Sequence, residues 1–270
     1  MKKLLLALGI IALAACEKSS DEIITPPDSQ SPRLLTVEVS ETPMHDENAS
    51  ARNMTRTEAA TTTETLSAFS MNYMANKYDF TKSGTWSTNE WPYGVPNDTK
   101  IDFYAYNGGT FNYNEGNPYV NFTMDDNDAF NQKDFLVAAN NKSFNDNNGV
   151  VPLSFDHACA AVQFKVFKQG DADITVNSIV LKNVMKTGDY YYNESTQWQH
   201  LSNATDYLLT DGDITVTTDK QLLPCHWLFI IPQSKTSITI EVKYNTNQQK
   251  DISLTGSWVA GKRYTISIRI

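Results

Sequence analysis

Short runs in which every second residue is apolar recur along almost the whole chain, and they leave little room for anything but β-structure. Leu35, Val37 and Val39 alternate with Thr36, Glu38 and Ser40. Phe69, Met71 and Tyr73 repeat the pattern, as do Ile101, Phe103 and Ala105, then Val162, Phe164 and Val166. Ile174 and Val176, Ile238 to Tyr244, and Tyr264 to Ile270 carry it to the end of the chain. A period of two is the pleat of a strand with one buried face. The Thr, Val, Ile, Tyr and Phe that fill these runs suit a half-buried pleated surface. Turn sequences separate them: Asn107-Gly108-Gly109, Asn147-Asn148-Gly149, Asp211-Gly212-Asp213 and Gly261-Lys262. No long amphipathic helix is apparent, although residues 126–138 could carry a helical turn or two. The pattern predicts an all-β chain built of β-sandwiches. The polar stretch Asn140 to Gly149 predicts a boundary, giving one sandwich over 34–149 and a second over 150–270, both of ordinary domain size.

The first 16 residues are of another kind. Met1-Lys2-Lys3 precedes an apolar run from Leu4, which closes on Leu13-Ala14-Ala15-Cys16. The run is long enough for a signal peptide and too short to span a bilayer. It resembles a bacterial lipoprotein signal, with cleavage between Ala15 and Cys16 and a diacylglycerol on the Cys16 thiol. An ordinary secretory signal with a chance cysteine is the alternative. Loss of residues 1–15 removes Lys2 and Lys3 and no acid, taking the formal charge from −9 to −11. So acidic a chain is not expected to bind nucleic acid or anionic lipid through a basic patch. Residues 16–33, with Pro26-Pro27 among polar residues, read as a tether.

Residues 41–63 interrupt the alternation with Pro43, His45, Asp46, Glu47, Arg52, Arg56 and a Thr/Ala run. An exposed loop of this length is functional or mobile, and a preferred protease substrate. Cys159 and Cys225 could form one disulfide in an oxidising compartment, or stay as two buried thiols.

Catalytic motifs are missing. No His-Glu-x-x-His, Gly-x-Ser-x-Gly or phosphate loop occurs, so a hydrolase on this scaffold has no motif to support it. His157 and His226 sit in apolar contexts and read as packed, hydrogen-bonded residues rather than bases. Asp125-Asp126-Asn127-Asp128 and Asp146-Asn147-Asn148 lack the spacing of a helix-loop-helix calcium site and read as acidic turns. Neither a cofactor nor a metal is expected. For a glycan, Tyr190, Tyr192 and Trp198 form the best candidate platform, with Tyr191 packed inward. An aromatic β-core is the competing reading.

Taken in order, several segments resemble the fimbrillin-like proteins of the Bacteroidales, the type V pilin superfamily. They are the lipobox at Cys16, the strand Leu34 to Val39, the arginine-bearing loop, Leu66 to Phe69, and Trp86 with Trp91-Pro92. Ile101 to Tyr106, Val151 to Ala158 and the closing Trp258 to Thr265 complete the set. Ser20-Asp21-Glu22 is similar to the acidic export signals of surface lipoproteins in that phylum. The resemblance implies two tandem transthyretin-like sandwiches and a surface-exposed outer membrane lipoprotein, fimbrial once processed. It implies a pilus subunit or adhesin without catalytic activity, whose partners are other pilin subunits, the outer membrane through its lipid, and a surface ligand the sequence does not identify. It also implies assembly: cleavage after Arg52 or Arg56, departure of the strand bearing Leu35, Val37 and Val39, and its replacement by a donor strand. The alternative for both arginines is two solvated charges on a loop. The sequence ends on its last strand, so no separate donor extension is expected. The alternative is a surface lipoprotein that binds glycans without polymerising.

Overall fold

Alternation at period two commits each segment to a strand whose inward residues need a second layer to cover them. The computed structural model describes residues 33–47, 66–114, 116–124, 129–130, 132–225 and 227–270. Its strands before residue 150 are β1 (Leu34–Glu41), β2 (His45–Asp46), β3 (Ala68–Tyr73), β4 (Asn76–Ser83), β5 (Thr85–Trp86), β6 (Asn89–Glu90), β7 (Ile101–Tyr106), β8 (Thr110–Asn114), β9 (Asn117–Thr123) and β10 (Leu136–Lys142). Those after it are β11 (Val150–His157), β12 (Ala160–Phe167), β13 (Ile174–Tyr191), β14 (Trp198–Leu208), β15 (Ile214–Val216), β16 (Gln221–Leu222), β17 (Leu228–Ile230), β18 (Thr239–Tyr244), β19 (Gln248–Ser253) and β20 (Lys262–Arg269). The fold is all-β. Among the described residues the sole helix is a 3-10 turn, Phe144–Asp146, and the part of 126–138 that is described holds no helical turn.

Among the described residues three sheets result. The first runs β5-β4-β3-β7-β10-β11-β1-β6. The second runs β16-β12-β20-β2, with β17 also on β12. The third runs β19-β18-β13-β9-β8, with β14 and β15 also on β13. The inward residues of the first sheet, among them Leu35, Met71, Phe103 and Leu153, form one core. The second and third sheets enclose another between Val162 and Phe164 on one side and Ile179, Leu181 and Ile240 on the other. A third cluster, including Met44, Phe122, Phe135, Tyr190, Trp198 and Ile231, packs across strands of all three sheets.

Residues 34–270 form one compact unit. The expected boundary between residues 149 and 150 does not coincide with a division between sheets. Strand β11 lies beyond it in sequence yet sits between β10 and β1, and β9 lies before it yet pairs with β13. Local polarity marked a turn there, but pairing between strands distant in sequence decides which sheet a strand joins.

Candidate functional site

The sequence Leu-Thr-Val-Glu-Val of β1 points Leu35 and Val37 to the same face. Both are buried, Leu35 completely, in the core beside Phe69, Phe103 and Leu153, and Val39 is half-buried at its margin. Complete burial of two such side chains is worth about 3–6 kcal/mol. Strand β1 lies parallel to β11 over six residue pairs, Thr36 with Val150 to Glu41 with Phe155. Among the described residues, only Leu34 and Leu35 find a partner on its other side, the two-residue β6, so within them most of β1 is held by one neighbour. Its entry is tight: the Thr36 amide donates to the Gly149 carbonyl at 3.0 Å. Gly149 has φ +80, and a Cβ there would lie 2.1 Å from the Leu34 carbonyl oxygen. Only glycine accommodates both the left-handed backbone and that approach.

At its far end β1 is tied again. The Thr42 amide donates to the Phe155 carbonyl at 2.8 Å, and the Glu41 carboxylate accepts from the Leu66 amide at 3.2 Å. Glu41 thus joins the two sides of the expected loop at its base. The described part of that loop is not irregular throughout. Residues 42–47 cross to the second sheet, burying Met44 on the way. There β2 pairs in parallel with the start of β20. The His45 amide donates to the Gly261 carbonyl at 2.9 Å, and the Glu47 amide to the Arg263 carbonyl at 3.0 Å. One stretch, residues 34–47, thereby supplies a strand to each of two sheets.

Beneath this crossing lies a buried pair, the His157 imidazole Nδ1 with the Asp134 carboxylate. Burial works against a charged His157, but the hydrogen bond and charge of Asp134 outweigh it and raise its pKa; Glu41 and a contact to the Thr42 backbone act in the same sense. Burial also raises Asp134. As the sequence suggested, His157 is a packed, hydrogen-bonded residue. His226 lies outside the described residues.

The candidate glycan platform is overturned. Tyr190 and Trp198 are buried in the central cluster, the Trp198 indole donating to the Ala158 carbonyl at 2.7 Å. The Tyr192 hydroxyl donates to the Ala105 carbonyl at 2.8 Å. The residue expected to pack inward, Tyr191, stacks instead on its cross-strand neighbour Tyr119, ring centroids 4.9 Å apart. Beside that pair, Asp189 accepts from Asn121 at 2.7 Å and pairs with His200 at 2.9 Å. The alternation was read correctly and its phase was reversed. The signal that could have fixed the phase is Gly188, where a Cβ would lie 3.1 Å from the Trp198 ring, placing even-numbered positions inward.

Cys159 and Cys225 are both buried and free, so the disulfide is not formed. Burial pushes Cys159 well up and Cys225 up to about 11, leaving unreactive thiols. Among the described residues no three His, Cys, Asp or Glu side chains converge as a metal site would require. A shallow cavity of about 360 Å³ opens on the outer side of the first sheet between Glu38, Asn140 and Ser154. It forms where β10 and β11, paired only at two positions, draw apart and the Asn140 amide reaches the Pro152 carbonyl. The signal cleavage site Ala15–Cys16 and the arginines Arg52 and Arg56 lie outside the described residues, as does the acidic run 125–128.

Comparison with known proteins agrees with this architecture. None of the curated proteins matches the chain. Among solved structures, a fimbrial protein from Bacteroides vulgatus has a TM-score of 0.52 at 16% identity, covering 88% of this chain and 95% of that one. A proposed cell adhesion protein from Bacteroides ovatus has a TM-score of 0.52 at 14% identity, over 88% and 92%. Another from Bacteroides eggerthii has a TM-score of 0.50 at 12% identity, over 88% and 86%. At such identities the likeness establishes the fold alone. The profile of the fimbrillin-like family matches residues 40–270, which is most of the chain, from the end of β1 to the last residue. The chain belongs to the fimbrillin-like family.

Proposed function

We propose that this protein is a cell-surface fimbrial subunit or adhesin without catalytic activity, and that it assembles by exchange of its first strand. In this reading the precursor is delivered to the outer membrane through a lipid on Cys16. Cleavage after Arg52 or Arg56 frees the segment that includes β1, and a strand from a neighbouring subunit takes its place. The observation that carries the reading is the seat of β1. It has two buried apolar side chains, one ladder partner for most of its length, and tethers at both ends. Loss of such a strand bares Leu153 and Phe155 and the free edge of β11, and another strand restores both the apolar contacts and the ladder. Arg33 precedes β1, so cleavage there would detach the lipid and leave the groove filled.

Limited digestion of the folded chain by a trypsin-like protease tests this. The expected result is one early cut after Arg52 or Arg56, followed by oligomers that persist in mild denaturant. Early cuts elsewhere, or a processed protein that stays monomeric, would remove assembly and leave the family fold.

A second reading, capture of neutral glycans, now rests on the outward Tyr119–Tyr191 pair with Asn121, Asp189 and His200 beside it. Retardation on a polysaccharide gel that Tyr191→Ala abolishes would support it, and unretarded migration of the unaltered protein would end it.

A further inference from the structure

Beyond β1, the stretch 34–47 ends on two acids near cations that the fold keeps covered, and the first of them forms a direct ion pair. The Asp46 carboxylate lies 3.0 Å from the Arg263 Nε. The Arg263 side chain is 10% exposed, while that of Asp46 is 55% exposed. The guanidinium also lies over the Trp227 ring, 5.9 Å from its centroid. One position on, the Glu47 charge acts through space on Lys235, a buried residue whose ammonium lies 4.6 Å from the centre of the Tyr264 ring and 5.4 Å from that of Trp258. Burial lowers the Lys235 pKa, and the Glu47 charge opposes that shift. Lys262, opposite His45 in the ladder, adds a third cation to this edge. The cations belong to the body of the fold and the carboxylates to the stretch that the proposed exchange removes. A covered cation that loses its carboxylate loses more than an exposed one, because water replaces the partner poorly there.

We propose that this end of the groove selects its occupant by charge. The incoming segment is an extended, acidic peptide strand running parallel to β11 and β20. It carries alternate apolar residues at the positions of Leu35 and Val37 and two adjacent carboxylates at those of Asp46 and Glu47. This rests on the strand-exchange reading and adds to it a partner chemistry. The apolar half supplies contacts common to any strand; the acidic half fixes register and polarity, because carboxylates placed at the other end of the strand would lie beside Val150 and the buried Val151.

The test uses the full chain nicked after Arg52 or Arg56, with both pieces present. Two labelled peptides of the 34–47 sequence compete for the groove, one unaltered and one carrying Asp46→Asn and Glu47→Gln. Displacement of the resident piece is followed by native mass spectrometry. At about 50 mM salt the unaltered peptide is expected to act at a roughly tenfold lower concentration, and at about 0.5 M salt the gap should narrow. Equal potency at low salt would overturn charge selection and leave strand exchange standing. Entry of neither peptide would overturn strand exchange, and charge selection with it. Arg263→Gln in the nicked chain should reduce the preference; a preference of unchanged size would overturn the assignment to this edge.

Discussion

Two long parallel strand pairs stand out among the described ladders, which are antiparallel except for these and the short pairing of β2 with β20, and in the proposed exchange they differ in how replaceable their outer strand is. In one, β1 lies on β11 over six pairs; in the other, β20 lies on β12 over seven. Each outer strand buries two side chains completely or nearly so, Leu35 and Val37 in β1, Tyr264 and Ile268 in β20. Burial therefore does not separate them. What does is the chain on either side. Strand β20 follows the buried Trp258, whose neighbour Val259 donates its amide to the Tyr264 hydroxyl at 3.1 Å. Strand β1 leads into residues 42–47 and then to the segment bearing Arg52 and Arg56. A strand can be equally well packed and still be detachable, provided its connection to the rest of the chain can be cut. Residues 42–47 join the two pairs, because they carry the chain from the edge of β11 to the edge of β20.

The largest effect that sharpens this contrast comes from truncating the buried side chains. Leu35→Ala and Ile268→Ala should each lower unfolding stability by about 2–5 kcal/mol in the intact chain, read by denaturant titration. In a chain nicked after Arg52 or Arg56, Leu35→Ala should speed release of the first strand while Ile268→Ala should leave that release unchanged. Equal release rates for both variants would mean that the two strands are equally integral. Next in size, Gly149→Ala should cost about 1–3 kcal/mol, since it meets both a left-handed backbone and the Leu34 carbonyl. Hydrogen exchange should then rise first in β1 and leave β20 protected.

A smaller effect is expected from pH. The folded state raises the pKa of His157, so the stabilisation it provides is present below the unfolded value of about 6.5 and is lost as pH rises through the folded value. Burial of Asp134 acts in the same direction. The thermal midpoint should therefore fall as pH rises from about 6.5 through the folded value of His157, and Asp134→Asn should flatten that slope. A midpoint that rises with pH would contradict the pairing. The smallest effect is none at all: with both thiols free, a reductant should leave the midpoint unchanged, whereas a disulfide would add about 2–4 kcal/mol to lose.

Much of this was legible in the residues. Alternation located β1, β3, β7, β12, β18 and β20 because one buried face imposes period two whatever lies opposite. It could not set the phase at Tyr190–Tyr192, where every residue is aromatic and either face suits a core. Nor could it set the pairing of Cys159 and Cys225, since a thiol packs as well as a disulfide in an apolar strand. Asp134, the partner of His157, went unnoticed because the two are separated in sequence and neither stands in a motif. The crossing at residues 42–47 was hidden for a related reason: a two-residue strand has no periodicity to detect.

The sequence by itself determined the strand-rich class, the inward residues of most strands, and the position of the arginines after the first strand. Those properties are local, fixed by side-chain alternation and turn chemistry. Only the tertiary structure decided that β11 belongs with β1, that Tyr191 faces outward, and that Asp46 meets Arg263 across the chain. Each depends on which strands lie side by side, and that is settled by the joint burial of distant apolar faces rather than by any short stretch of residues.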